Sequence, residues 1–198
     1  MTRVFAFSDL HHSRTRAEAL VAQSAEADLV IGAGDFCNHR EDLAGAMSLL
    51  AGLRRPVALV PGNAESAEEL EEAAHDGMTV LHGAGATLAG VSLFGLGYGV
   101  PVTPFGAWSC DLTEEDAAAM LARLDAVDIL ICHSPPKGVA DRTSSGQSVG
   151  STAIRDAIER AQPALVLCGH IHDSWGAEGH IGASRVVNLG PEDRFFEV

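Results

Sequence analysis

Residues 28–35 read Asp-Leu-Val-Ile-Gly-Ala-Gly-Asp, a short β-branched run that stops on glycines and a carboxylate. An apolar run of this length, bounded by turn residues, is the pattern of a strand buried on both faces. Four other runs are built alike. Residues 3–8 (RVFAFS) lead into Asp9 and His11, and residues 56–62 (PVALVPG) into Asn63. Residues 128–132 (DILIC) lead into His133, and residues 164–169 (ALVLCG) into His170 and His172. Helical spacing fills residues 13–25, 41–53, 66–75, 113–124 and 151–161, and Ser66 with Glu69 makes a capping-box pattern. Strands alternating with helices predict an α/β layered fold with a largely parallel core. The middle differs. Residues 78–82, 86–88 and 91–96 read as short strands of an antiparallel hairpin or meander. Residues 98–110 read as a surface loop, and residues 182–189 with 194–198 as a final hairpin.

At ~150 residues per domain, a 198-residue chain is expected to be one domain spanning 1–198. Its 46% hydrophobic and 20% charged residues exclude a disordered chain. The formal net charge is −14, and only one of 13 basic residues is a lysine, Lys137. That balance argues against a nucleic-acid duplex or an anionic membrane as partner. No apolar run reaches the ~18–20 residues of a membrane span. The first apolar stretch is too short for a signal peptide, so a cytoplasmic protein is expected. The four cysteines form no CxxC pair and are read as reduced.

Ligands of open α/β sheets bind outside the carboxyl ends of the strands. One geometric assumption therefore gathers Asp9, His11, Asp35, Asn63, His133, His170 and His172 at one rim. Asp9 and His11 are two apart, as are His170 and His172, so in extended backbone each pair points to one side. Carboxylate, amide and imidazole donors suit Mn, Fe, Zn, Co or Ni better than Ca. Seven ligands are too many for one ion that keeps a position open. They suit two divalent ions sharing a carboxylate, which can clamp a phosphate and generate a hydroxide nucleophile. Gly34, Gly62 and Gly169 each precede a ligand, where the lack of a Cβ permits close approach.

Asp9-Leu10-His11, Gly34-Asp35, Gly62-Asn63, His133 and Gly169-His170-Ile171-His172 occur in the order and spacing of the calcineurin-like metallophosphoesterases. The resemblance spans residues 9–172, and the small size is similar to the compact bacterial and archaeal phosphodiesterases of that superfamily. Residues 169–176 (GHIHDSWG) also resemble the branch that includes the mammalian brain-type proteins. The resemblance implies a four-layer α-β-β-α sandwich of two mixed sheets flanked by helices, the middle hairpins falling in the second sheet. It implies that Asp9, His11 and His172 bind one metal, that Asn63, His133 and His170 bind the other, and that Asp35 bridges them. It implies a dinuclear-metal phosphoesterase, a phosphodiesterase rather than a phosphomonoesterase, in which a metal-bridging hydroxide attacks phosphorus in line. A small phosphoester, of nucleotide type, is the implied substrate. The alternative is a non-catalytic metal-bound scaffold or a nucleotide-binding regulatory protein on the same fold. Many members carry a histidine after Gly-Asn that assists the leaving group; here the run is Gly62-Asn63-Ala64-Glu65.

That departure directs attention to other groups. His12 adjoins a ligand and is available as a replacement acid. Asn38 could hold a phosphate oxygen. The long loop over residues 134–150 ends at a helix start, where the N–H groups after Ser151 would attract an anion, with Lys137 or Arg142 adding charge. Glu65 could orient a neighbour, but reads more simply as exposed near a helix start. His39, His75, His82 and His180 read as surface residues; Trp108 and Trp175 could stack on a nucleobase, but read first as buried or interface packing residues.

Overall fold

The computed structural model describes residues 1–198 except 55 and 193. In chain order the first half comprises β1 (Arg3–Phe7), α1 (Arg14–Ser24), β2 (Leu29–Gly32), α2 (Leu43–Leu49), β3 (Val57–Leu59) and α3 (Ala67–Ala73). The middle holds β4 (Met78–Val80), β5 (Ala84–Leu88), β6 (Val91–Leu96) and α4 (Glu114–Leu121). The rest comprises β7 (Ile129–Cys132), α5 (Thr152–Ala161), β8 (Leu165–Cys168), a 3-10 turn (His172–Ser174), β9 (Glu178–Ile181), β10 (Ser184–Asn188) and β11 (Arg194–Glu197).

The strands form two mixed sheets, ordered β11-β1-β2-β3-β4 and β5-β6-β7-β8-β10-β9. Alternation along each strand assigns side chains to layers. Val4, Ala6, Leu29, Ile31, Ala58 and Val60 of the first sheet meet Leu93, Ile129, Ile131, Leu165, Leu167 and Val187 of the second in an inter-sheet core. Phe5, Phe7, Val30 and Leu59 face the other way, onto Leu20, Met47, Leu50 and Leu70 of the first three helices and their ends. Leu130, Val166 and Val186 face Leu121, Ile154 and Ile158 of α4 and α5. The result is helix, sheet, sheet, helix. Every residue of β1 after Arg3, and all of β2, β7 and β8, is buried, as their continuous apolar runs predict.

Two strand expectations change. The last two segments do not pair with each other. β10 lies parallel to β8, whereas β11 crosses to the first sheet and pairs antiparallel with β1. Aromatic packing rewards the crossing: Phe195 lies 5.0 Å from Phe5, centroid to centroid, and Phe196 enters the inter-sheet core. The real hairpin is β9–β10, turned at Gly182, whose φ of +59° suits glycine. Likewise β4 leaves the expected meander and pairs parallel with β3, so of the three middle strands β5 and β6 alone form an antiparallel hairpin, in the second sheet. The helix expected over 41–53 is shorter, Leu43–Leu49, begun by the Asp42 side chain accepting from Gly45 N–H at 3.1 Å.

Candidate metal centre

The loops leaving the carboxyl ends of β1, β2, β3, β7 and β8 converge. Ligand atoms of Asp9, His11 and His172 lie within 4.8 Å of one another, as do those of Asp35, His133 and His170. Asp35 faces both trios. Its Oδ2 stands 3.7 Å from His11 Nε2, and its Oδ1 stands 3.4 Å from His133 Nε2. Asn63 joins the second trio with Oδ1 3.2 Å from His133 Nε2. Its Nδ2 donates to Ser109 Oγ at 3.1 Å, which turns the amide oxygen inward.

The surroundings set the orientation and charge of these groups. His133 Nδ1 lies 2.9 Å from the Ala33 carbonyl, to which it donates, leaving Nε2 for the site. Ser8 Oγ donates to Asp9 Oδ2, and Ala64 N–H donates to Asp35 Oδ1 at 2.9 Å. Burial alone would raise Asp9, but the His172 hydrogen bond and the His133 charge outweigh it and hold Asp9 below its ordinary value. Asp35 is held down in the same way, its burial outweighed by His133. Burial opposes charging His133, yet Asp35 brings it up to about 9. Burial, then the His133 charge, push His170 down to about 4. Ionised carboxylates and a neutral imidazole are the forms that bind a cation. This set of carboxylate, amide and imidazole donors fits two divalent transition ions.

The local backbone differs from the extended geometry expected. Asp9, His11, His12, Asp35 and His170 all have positive φ, between 48° and 66°. His172 begins the 3-10 turn. Non-glycine residues rarely adopt this region, and its concentration here marks a site held by its surroundings. Parallel pairing continues beyond the strands and does the holding: Asp9 N–H donates to the Gly34 carbonyl and His11 N–H to the Asp35 carbonyl, each at 2.9 Å. The result is that His11 Nε2 comes within 3.2 Å of His172 Nε2. At Gly62, an added Cβ would stand 2.0 Å from Asp35 Oδ1, so close approach requires glycine there.

Glu65 is fully buried, not exposed. It accepts from the N–H groups of Asp35 at 2.8 Å, Gly62 at 2.6 Å and Phe36 at 3.1 Å. One carboxylate thus ties the loop after β2 to the loop after β3. Burial, then the charge of Asp35, push its carboxyl up to about 7, against the pull of the Gly62 and Cys37 N–H groups and the His133 charge. No pattern in the sequence distinguishes this glutamate from a helix-start acid.

Other residues singled out from the sequence have different partners. His12 turns to Asp42, 3.7 Å from its carboxylate, and is not on the cleft wall. Asn38 donates to the His11 carbonyl at 3.2 Å and so braces that loop. Lys137 Nζ donates to the Ser148 carbonyl at 2.6 Å, and Arg142 Nη1 to the Gly146 carbonyl at 2.8 Å, both within the long loop. The α5 N-terminus already holds an anion. Glu114 accepts from Ser151 Oγ at 2.7 Å, Thr152 N at 2.9 Å and Ala153 N at 2.8 Å. Conversely, His39 is not an isolated surface residue. It lies edge-on to Trp108 at 4.3 Å, and both line the cleft of about 370 Å³ onto which His11 and His172 of one trio and Asp35 and His170 of the other open. His82 is half-buried against Tyr98, and His75 reaches the Met47 carbonyl at 3.1 Å.

The family model described as calcineurin-like phosphoesterase matches residues 2–174. The chain belongs to that family. Within the family it is 28% identical over 172 residues to the UPF0046 protein K07C11.7 of Caenorhabditis elegans, covering 76% of this chain and 58% of that protein. It is 37% identical over 96 residues to human metallophosphoesterase domain-containing protein 1, covering 46% of this chain and 29% of that protein. The chain thus spans 58% and 29% of the lengths of these two relatives. The family fold is seen in TT1561 of Thermus thermophilus, at TM-score 0.74 and 19% identity, covering 98% of both chains. A dimetal phosphatase of Danio rerio superposes at TM-score 0.63 and 12% identity, covering 96% of this chain and 88% of that one. No helix among the described residues is long and apolar enough to cross a membrane.

Proposed function

We propose that this chain is a metal-dependent phosphoester hydrolase that acts on phosphodiesters. The observation that carries the reading is Asp35, whose two oxygens face one trio each. Asp9, His11 and His172 would hold one ion, and Asn63, His133 and His170 the other, with Asp35 shared between them. Bound divalent ions supply charge against the phosphoryl oxygens and a water acidified to near-neutral pKa.

The chain's own residues set the preference among esters. No lysine or arginine lines the cleft among the described residues. A diester monoanion needs less neutralising charge than a monoester dianion, so the lining favours the diester. Ala64 is buried and offers no proton. His39 is the imidazole on the cleft wall that belongs to neither trio. In this reading His39 donates a proton to the departing ester oxygen, and water supplies the oxygen that joins phosphorus.

The test is hydrolysis of bis-p-nitrophenyl phosphate beside p-nitrophenyl phosphate, after chelation and refilling with Mn²⁺, Ni²⁺, Zn²⁺ or Mg²⁺. Metal-dependent turnover favouring the diester, lost in Asp35→Asn, supports the proposal. Absence of turnover with two ions bound overturns it.

A further inference from the structure

An apolar cavity of about 380 Å³ opens beside the metal centre and shares Phe105 and His170 with it. Its walls come from the loop after β6, through Val102, Pro104 and Phe105, and from the long loop and the β8 end, through Val149 and Ile171. None of its lining residues is a carboxylate, lysine or arginine. Apart from Met1, the large hydrophobic side chains left exposed among the described residues are Val102 at 59% and Phe105 at 50%. Both stand on this cavity. Phe105 in turn stacks on Trp108, 5.7 Å apart and 6° from parallel, so an aromatic surface runs from the cavity into the metal cleft.

We propose that this cavity receives the uncharged arm of a phosphodiester, an aromatic or bulky apolar ester group, while the phosphoryl group lies at the metal centre. The inference rests on the phosphodiesterase reading and adds the substrate class. Three observations select this occupant. The cavity adjoins the candidate metal centre and shares Phe105 and His170 with it, so a single small molecule can reach both. Its lining offers dispersion and ring stacking rather than charge, which suits a neutral arm. Its size falls within the range of small-molecule sites. Phe105 is the residue the two compartments share with no ligand role, which makes it the specificity determinant.

Isothermal titration of the metal-loaded protein with diphenyl phosphate and with dimethyl phosphate tests the idea. The two diesters carry the same charge and differ in their arms. Burial of a ring in place of a methyl is expected to make diphenyl phosphate bind about tenfold tighter. Phe105→Ala and Val149→Asp, checked for folding by thermal melt, should each remove that preference. Equal affinities in the parent chain, no binding of either diester, or a preference that survives both substitutions overturns the proposal. Preferential binding of diphenyl phosphate without turnover of any diester keeps the cavity and removes the hydrolase reading. Turnover without arm preference does the reverse.

Discussion

His11 Nε2 and His172 Nε2 stand 3.2 Å apart, although 161 residues of sequence separate them. Each is also within reach of Asp9 Oδ1, His11 at 3.9 Å and His172 at 3.6 Å. Two imidazole nitrogens and a carboxylate oxygen aimed at one point make a candidate divalent-ion site. Metal added to chelated protein should therefore stabilise the fold. At a hundredfold excess over Kd the gain is about 2.7 kcal/mol. For a chain of this size that raises Tm by roughly 5–10 °C. His11→Ala should shrink the rise, and a metal-independent Tm would contradict the site.

Gly62 should tolerate no side chain. A methyl there would meet Asp35 Oδ1 at 2.0 Å and Asp35 N at 2.2 Å. Relief requires moving the carboxylate that faces both trios. Gly62→Ala should cost about 1–3 kcal/mol and reduce metal stoichiometry below two. Urea denaturation and metal analysis of the dialysed variant measure both. An unchanged midpoint with two ions bound would show that the loop yields freely.

The anion at the α5 N-terminus makes a pH prediction. Burial would raise Glu114, but the Ala153 N–H, Ser151 Oγ–H and Thr152 N–H bonds outweigh it and hold the carboxyl below its ordinary value. A carboxyl with a lowered folded pKa contributes stability that is present above its unfolded value of about 4.3 and is lost as pH falls through the folded value. Glu114→Gln should cost about 0.5–2 kcal/mol at neutral pH, the usual range for a helix cap. The gap between variant and parent should close as the pH is lowered below about 4. A gap that stays constant to pH 2 would refute the assignment.

His39 should matter most for esters that leave reluctantly. An acid that protonates the leaving oxygen helps an alkoxide far more than a p-nitrophenolate. His39→Gln should lower kcat by roughly 10²-fold or more for alkyl-leaving diesters and change little for p-nitrophenyl diesters. A uniform loss across leaving groups would reduce His39 to a partner of the Trp108 ring.

Much of the candidate site was legible because its candidate metal ligands end apolar strands, and strand ends are visible as runs. Asp9, Asp35, Asn63, His133 and His170 each follow such a run within two residues. His39 and Trp108 follow no run. They reach the cleft from separate loops, and only their 4.3 Å ring contact reveals them as its wall. Glu65 reads from sequence as exposed because a buried carboxylate and an exposed helix-start acid look alike there. Its burial follows from the N–H groups of Asp35, Phe36 and Gly62 converging on one point.

By itself the sequence determined the layered α/β architecture, since runs buried on both faces require helices outside and a partner sheet inside. It also singled out the seven candidate ligand residues, through their order along the chain. The tertiary structure decided which sheet β4 and β11 join, because short strands pair wherever side-chain packing is available, and Phe195 finds Phe5 across the chain. It decided that Glu114 rather than a substrate occupies the α5 N-terminus, since charge at a helix end is settled by whichever carboxylate the fold delivers. It decided, finally, that Asp35 turns one oxygen to each trio, because side-chain direction depends on a left-handed backbone held by neighbouring loops.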